Sequence, residues 1–462
     1  MGRKSQSKQI SKKNGSRENN KFAQQKRKEL AILVDKVLRL TSVFQASNVS
    51  KSWEHHLEIE AIVKEIINLE VPQHKSYHKP RKLCIENYVE WLNENGVQFQ
   101  GVEIAEFEGY EMGLKATKEF PEGSLVLTVP SKVMMTENNA KESSLSEFIS
   151  VDPLLQNMPN ITLALFLLLE KSKAGAYSYW KPYIEILPEK YSTILYFTSE
   201  ELAELRVIFE SSLKLFRSIA RQYAYFYNKI HSVELPNIGQ EIMLFGFRWA
   251  VSTVMTRQNN IQVGNDDLTA FIPLWDMCNH EHGKITTDFN KELDRGECFA
   301  LRDFKPDKQV FIFYGTRPNA DLFLHNGFVY PNNQHDSLAL TLGVSQNDAL
   351  REAKLSLLTK LGLAGVTHYT LYGGQNPISA ELLAFIRIFN MNQEELTQWS
   401  SVGLPGDLVS SDEQSSKAVG SQIDRRAYTY LLTRCTLLLA AYKKDNIDNG
   451  PLNLHRYVPR LY

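Results

Sequence analysis

Cysteine is scarce: four residues in 462, at Cys84, Cys278, Cys298 and Cys435. No two stand at Cys-x-x-Cys spacing. That argues against a cysteine-rich zinc module and a disulfide scaffold, and it points to a reducing compartment, cytosol or nucleus. Long apolar runs are missing too. The longest, residues 161–169, falls far short of the ~20 residues that a bilayer span requires. No charged start leads into an apolar stretch, so no secretory leader is expected. Gln6 stands where a myristoylation pattern wants Ser or Thr, so no lipid anchor is expected either. The chain holds no Gly-x-x-x-x-Gly-Lys-Ser/Thr loop and no Gly-x-Ser-x-Gly elbow, which argues against a P-loop nucleotide enzyme and an elbow-type hydrolase. No internal repeat is visible.

Net charge is also small, −1, but it is unevenly spread. Residues 1–30 hold ten Lys/Arg and two Glu, a local charge of +8, so the remainder carries −9. A basic arm on an acidic body does not fit a dedicated nucleic-acid binder. Its Ser, Asn, Gln and Lys cannot build a core, so residues 1–30 are expected to be a disordered tail.

What is present is the material of a globular protein: 43% apolar and 11% aromatic residues. At roughly 100–200 residues per domain, the length suggests two to four domains. Ile59, Ile62, Val63 and Ile66 follow helical spacing, predicting a helix over 52–69 capped by Ser52. A second helix is expected over 81–95. Strands follow, beginning at Gly113 and over 123–130, the second with Leu125 and Leu127 facing one way and Val126 and Thr128 the other. Residues 136–240 read as helical. There Asn160 caps one segment, and Thr198 with Glu201 forms a capping box for a long helix reaching about 230. A helix over 247–256 is expected to stop at Asn259-Asn260. Strands return at 270–316, with 298–301 and 309–314 joined by the polar turn 303–308. Helices are then expected over 347–362, 379–400 and 424–443, with a loose loop at 402–422.

This order predicts an α+β fold. A helical segment at 31–96 precedes a sheet domain at 97–331, which carries an inserted helical lobe at about 136–240. A helical C-terminal domain occupies 332–462.

Three segments carry candidate chemistry: Tyr110-Glu-Met-Gly-Leu-Lys-Ala116; Arg257-Gln-Asn-Asn with Trp275-Asp-Met-Cys-Asn-His280; and Phe311-Ile-Phe-Tyr-Gly315 with Asn326-Gly-Phe328. Singly, each has a plain structural reading. A glycine opening a strand is usually a turn. An Asn-His pair is often a hydrogen-bonding corner. A tyrosine closing an aromatic strand is usually core, and Asn259 can simply cap the preceding helix. Cys278, His280 and His282 also offer three possible metal ligands in five residues.

The combination is more specific. Asp276-Met-Cys-Asn-His280, followed by a strand–turn–strand ending in Tyr314-Gly315, resembles the SET domain of protein methyltransferases. Trp180-Lys-Pro-Tyr-Ile-Glu-Ile-Leu-Pro188 resembles the insert of the Rubisco large-subunit methyltransferase-like branch. Val254-Met-Thr-Arg-Gln-Asn259, Ile272-Pro-Leu-Trp-Asp-Met-Cys-Asn-His280 and Ile312-Phe-Tyr-Gly-Thr-Arg317 are similar to the members of that branch that methylate a histidine of actin. The likeness covers about residues 75–400. The chain ends sooner than typical relatives, so the final helical domain is expected to be trimmed.

The resemblance implies a SET β-fold, S-adenosyl-L-methionine as methyl donor, no metal, and actin as protein partner. A monomer without membrane or nucleic-acid partners is expected. It places the donor among Arg81, Tyr110, Glu111, Met112, Arg257, Asp276, Met277, Cys278, Asn279, His280, Asn326, Gly327 and Phe328. It places the acceptor among Gln258, Asn259, Trp275 and Tyr314, with Tyr314 and Asn259 as catalytic residues. One departure stands out: relatives carry Gly-x-Gly in the first loop, and here Glu111 takes the first glycine's place. A lysine acceptor and a non-catalytic SET-like adaptor are the alternatives. Asn259 favours histidine, because an amide can orient one ring nitrogen and leave the other facing the methyl.

Overall fold

A computed structural model describes residues 24–42, 48–70, 80–173, 178–205, 208–232, 243–263, 266–401 and 406–443. The chain divides into two compact units. One comprises described residues up to Gly315 and Asp321–Val329; the other comprises Thr316–Ala320 and described residues from Tyr330 onward.

Twelve strands are present among the described residues. In the first unit these are β1 (Val102–Phe107), β2 (Glu111–Ala116), β3 (Leu125–Pro130), β4 (Met135–Thr136), β5 (Asn259–Val263), β6 (Asp266–Phe271), β7 (Asn279–His280), β8 (Thr287–Asn290), β9 (Arg295–Phe299) and β10 (Gln309–Ile312). The second unit has β11 (Ser337–Thr341) and β12 (His368–Tyr372). Three small sheets build the first unit, in the orders β1-β2-β10-β7, β3-β9-β8 and β4-β6-β5. The expected strands 298–301 and 309–314 are therefore β9 and β10, but they lie in different sheets. The turn 303–308 carries the chain from one sheet to the next.

Helices fill the space between Thr136 and β5. The apolar run 161–169 lies in helix Pro159–Lys173, where every residue from Ile161 to Glu170 is buried. A helix that is apolar all round must be enclosed, and this one packs against helix Leu244–Arg257. At its end the buried Glu170 is satisfied by Lys173 Nζ and Ser178 Oγ, both at 2.7 Å.

Several local expectations are corrected. The helix predicted over 52–69 is Val49–Glu70, and the Asn48 side chain, not Ser52, accepts from the first turn at Lys51 N–H (2.9 Å). The Thr198–Glu201 capping box is real, but it opens only the short helix Ser199–Ala203; the long helix is Phe209–Ser232. Helix Leu244–Arg257 does not stop on an idle Asn259-Asn260, because those residues begin β5 and pair with β6. On β3 both faces are buried beyond Leu125, and a register shift lies between Leu125 and Leu127. Residues 24–30, expected in the tail, belong to a helix over 24–42 that buries Leu30, Val34 and Val37. The remainder of the expected tail, residues 1–23, lies outside the described residues. Among described residues no helix is long and apolar enough to cross a membrane.

The second unit is not purely helical as expected, since β11 and β12 form an antiparallel pair. The helix expected over 379–400 is two, Ala380–Phe389 and Gln393–Ser401. The expected loop 402–422 contains a turn at Gly406–Val409 and a helix at Glu413–Val419.

One buried acid links two elements of the first unit. Glu70 ends helix Val49–Glu70 and accepts from the N-terminus of helix Leu244–Arg257, at Leu244 N–H (2.9 Å) and Phe245 N–H (3.4 Å), and from Tyr223 O–H (2.9 Å). Burial nevertheless pushes it up from 4.5 to about 7. The folded protein then holds this proton more tightly than the unfolded chain, so Glu70 makes stability fall as pH rises from about 4.5 to about 7. At ~1.36 kcal/mol per unit, that loss is about 3 kcal/mol. Glu70→Gln is expected to escape it, because an amide does not titrate in this range, while its carbonyl oxygen can still serve both Leu244 and Tyr223. Urea unfolding at pH 4.5 and pH 8 should show the variant gaining about 3 kcal/mol on the wild type; a pH-independent difference would refute this assignment.

Candidate active site

Parallel pairing of β7 with β10 sets Asn279 beside Phe311 and His280 beside Ile312. The chain then turns so that Tyr314 folds back over the same segment. Its backbone N–H donates to His280 Nδ1 (3.1 Å), and its hydroxyl donates to the Cys278 carbonyl (2.6 Å). Since Nδ1 accepts, the neutral His280 ring carries its proton on Nε2. The third segment closes on the second through aromatic contact: Phe328 lies 6.0 Å from the His280 ring and 6.2 Å from the Tyr314 ring. A one-turn π-helix, Leu322–Asn326, ends at Gly327, whose φ is +77°. Any Cβ at Gly327 would sit 2.5 Å from the Ser192 carbonyl oxygen, so both conformation and space require glycine here.

The first segment meets Asn279. Its amide donates to the Met112 carbonyl (3.2 Å) and to Gln309 Oε1 (2.7 Å). A Cβ at Gly113 would come within 2.9 Å of that amide and 2.8 Å of Gln309 Oε1. Gly113 is thus more than a turn residue: two side chains approach it too closely for a Cβ. Tyr110 packs edge-on to Phe311 at 5.5 Å. Glu111 does more than replace a glycine: it adopts the left-handed φ of +59° itself, at a cost of roughly 1–2 kcal/mol for an L-residue. Its carboxylate lies 3.2 Å from Arg81 Nη1, and Arg81 Nε donates to the Ile186 carbonyl at 2.7 Å.

Beneath these loops lies a buried charge cluster. Arg257 Nη1 donates to the Asp276 backbone oxygen (2.7 Å) and approaches its carboxylate (3.4 Å), which also accepts from Tyr183 O–H (2.7 Å). Burial pushes the Asp276 carboxyl up, against the pull of Arg257 and the Tyr183 hydroxyl. Burial works against the Arg257 cation, but Asp276 and the neighbouring Tyr191, Tyr183 and Tyr314 outweigh it and hold the guanidinium charged. Arg81 is brought down to about 10 by burial and by Arg257 beside it. Arg257 Nε and Asp276 Oδ1 are buried without hydrogen-bond partners. Such orphaned polar atoms are costly, and they mark where a polar ligand would be welcomed.

The structure thus brings Arg81, Tyr110, Glu111, Met112, Arg257, Asp276, Asn279, His280, Tyr314 and Phe328 into one connected region. Asn259 is half-buried, and its amide donates to the Arg257 carbonyl (3.1 Å); Gln258 beside it is exposed. The capping role and the orienting role are therefore compatible. Trp275 is buried, with its ring against Gly296. Met277 and Cys278 are buried as well, and the Cys278 thiol is pushed up by its hydrogen bond with Cys298 and by burial. That thiol is engaged with Cys298, and His280 Nδ1 accepts from Tyr314. Among described residues no three His, Cys, Asp or Glu side chains converge on a point. Tyr183, Tyr191 and Gln309 were not foreseen. Tyr183 lay in the recognised 180–188 segment, but only its hydrogen bond 93 residues away gives it a role.

Residues 111–315 match the SET domain family, and residues 345–447 match the Rubisco LSMT substrate-binding family. The fold is similar to a Rubisco LSMT structure bound to AdoMet (TM-score 0.58, 23% identity, 83% of this chain and 88% of that one). It is also similar to the SET domain of LSMT bound to lysine and AdoHcy (TM-score 0.61, 21% identity, 82% and 88%). Sequence likeness is higher elsewhere. The actin-histidine N-methyltransferase of Gallus gallus is 39% identical over 430 residues, 91% of this chain and 72% of that protein. The Homo sapiens protein of that name is 38% identical over 424 residues, 90% and 71%. On that identity over nearly its whole length, the chain belongs to the actin-histidine N-methyltransferase family of SET-domain proteins.

Proposed function

We propose that this chain transfers a methyl group from S-adenosyl-L-methionine to an imidazole nitrogen of a histidine in actin. The observation that carries the reading is the 39% identity to actin-histidine N-methyltransferases over 91% of the chain. The site's own chemistry supports it. The buried Arg257 Nε and Asp276 Oδ1 offer a donor and an acceptor to a zwitterionic amino-acid group, and Arg81 adds a guanidinium suited to its carboxylate.

When bound, S-adenosyl-L-methionine supplies a methyl on positively charged sulfur. The protein has to align an acceptor nitrogen with it and keep water away, and alignment alone can supply about 7–11 kcal/mol. Tyr314, pinned through its hydroxyl to Cys278, and Phe328 form a rigid aromatic wall at this place. A lysine acceptor, with a pKa of about 10.4, costs about 4–5 kcal/mol to deprotonate at pH 7. Histidine, near 6.5, is already mostly neutral and needs only a fixed ring and the right tautomer. The Asn259 amide nitrogen is tied to the Arg257 carbonyl, which leaves the amide oxygen as the acceptor for a ring N–H.

The test pairs His and Lys peptides from one actin segment, with methylation sites located by mass spectrometry. Asn259→Ala is expected to slow histidine methylation ten- to a hundredfold, the scale of a buried hydrogen bond lost at ~1–3 kcal/mol. Asn259→Phe is expected to raise the lysine-to-histidine ratio. Wild type preferring lysine, or a ratio untouched by either variant, would return a lysine acceptor to first place.

We also propose that the chain works as a monomer, without nucleic acid, in the cytoplasm or nucleus. The scarcity of cysteine, with no two at Cys-x-x-Cys spacing, supports a reducing compartment.

A further inference from the structure

We propose that Glu111 is a built-in competitor for the carboxylate end of the methyl donor: it occupies the Arg81 guanidinium, and donor binding exchanges one carboxylate for the other. This rests on the methyl-donor reading above and deepens it.

Arg81 is anchored at one end of its guanidinium. Its Nε is held by the Ile186 carbonyl at 2.7 Å, and its side chain is only 19% exposed. With Nε engaged, the one two-donor fork left on the guanidinium is its Nη1–Nη2 end. Glu111 holds Nη1 at 3.2 Å. An incoming carboxylate must compete with Glu111 for that nitrogen to gain its bidentate pair.

Glu111 is built to let go. Its side chain is 58% exposed, and it stands opposite Phe107, where β1 and β2 open into their connecting loop. Its left-handed backbone conformation is one that a glycine would hold without strain. Strain of this kind gathers at ligand clamps and switches.

Charge balance points the same way. Arg257 has Asp276 as its buried counter-charge, 3.4 Å away. Arg81 lies close enough to Arg257 to feel its repulsion, and Glu111 answers it from the solvent side. A ligand that brings its own carboxylate makes Glu111 redundant. The two carboxylates then repel, so Glu111 weakens donor binding and selects against nothing that lacks a carboxylate.

The experiment is calorimetry on the full chain with S-adenosyl-L-methionine and with 5′-methylthioadenosine, which has the nucleoside and thioether but no amino-acid end. Proteins are wild type, Glu111→Gln and Glu111→Gly. Glu111→Gln is expected to tighten S-adenosyl-L-methionine about two- to fivefold, the scale of a solvent-facing ion pair. Glu111→Gly, which removes the same carboxylate, should tighten it to a similar extent. Methylthioadenosine should bind all three proteins equally. Unchanged or weaker donor binding in both variants, with the wild type binding normally, overturns the exchange; weakening would mean that Glu111 grips the donor's ammonium instead. Equal tightening of methylthioadenosine overturns it as well, because loop relief rather than charge would then be responsible. If no protein, wild type included, binds the donor, the methyl-donor reading itself falls.

Discussion

Tyr314→Phe is expected to lower kcat for methyl transfer by about 10²–10³, the scale of one positioned polar group removed from a site. Melting temperature should hardly change. The substitution keeps the ring, and with it the contacts to His280 and Phe328 at 5.1 and 6.2 Å. The backbone N–H that donates to His280 Nδ1 is also kept. Only the hydroxyl is lost, together with its 2.6 Å bond to the Cys278 carbonyl. That bond fixes the ring's tilt relative to the 276–280 segment, and a small displacement there is felt at the reacting atoms. The checks are single-turnover kinetics on an actin peptide and a thermal melt of both proteins. Full activity in the Phe variant would reduce Tyr314 to an aromatic packing residue.

Arg387→Leu is expected to destabilise the second unit by about 3–5 kcal/mol, the scale of a buried pair broken from one side. Arg387 is fully buried. Its Nε and Nη2 make a two-bond pair with the Asp424 carboxylate, at 2.7 and 3.1 Å. Its Nη1 serves the carbonyls of Asp407, Leu408 and Ser410 at 2.9, 3.0 and 2.7 Å. One side chain thus ties helix Ala380–Phe389 to helix Ser421–Lys443 and to the turn at Gly406–Val409. Leucine would deprive a largely enclosed carboxylate and three carbonyls of the guanidinium. Asp424→Asn should cost less, because the three carbonyl bonds survive. Urea unfolding of the full chain measures both variants. A loss under about 1 kcal/mol for Arg387→Leu, typical of exposed pairs, would mean that water replaces the guanidinium.

Arg387 illustrates what a sequence conceals. Nothing around Ile386-Arg-Ile388 distinguishes it from an exposed arginine on an amphipathic helix; its importance comes from a carboxylate 37 residues away. Gln309 and Tyr183 were missed for the same reason. Each has an ordinary local context, and each acts by reaching a residue of a distant segment. Arg257, Asp276, Asn279, His280 and Tyr314 were legible because several informative residues stand close together in three short runs, and such runs carry a recognisable pattern. Glu111 was legible as a departure from that pattern. Its left-handed backbone and its hold on Arg81 were not.

Local physics explains which elements were found. Helical periodicity at Ile59–Ile66 and the capping atoms at Thr198 and Glu201 are properties of a few neighbouring residues, so the sequence alone determined that helices form there, and that the site uses an Asp-Met-Cys-Asn-His segment with a following tyrosine. Partner choice is a different kind of quantity. Whether Asn259 and Asn260 end a helix or start a strand depends on the open edge of β6, and whether β9 and β10 pair with each other depends on the competing offers of β3, β8, β2 and β7. Those energies exist only once distant segments have met, because hydrogen-bond ladders and buried charge pairs are made between them and not within them. Tertiary structure therefore decided the sheet order, the length of the capped helix, the burial of Arg387, and the meeting of Arg81 with Glu111.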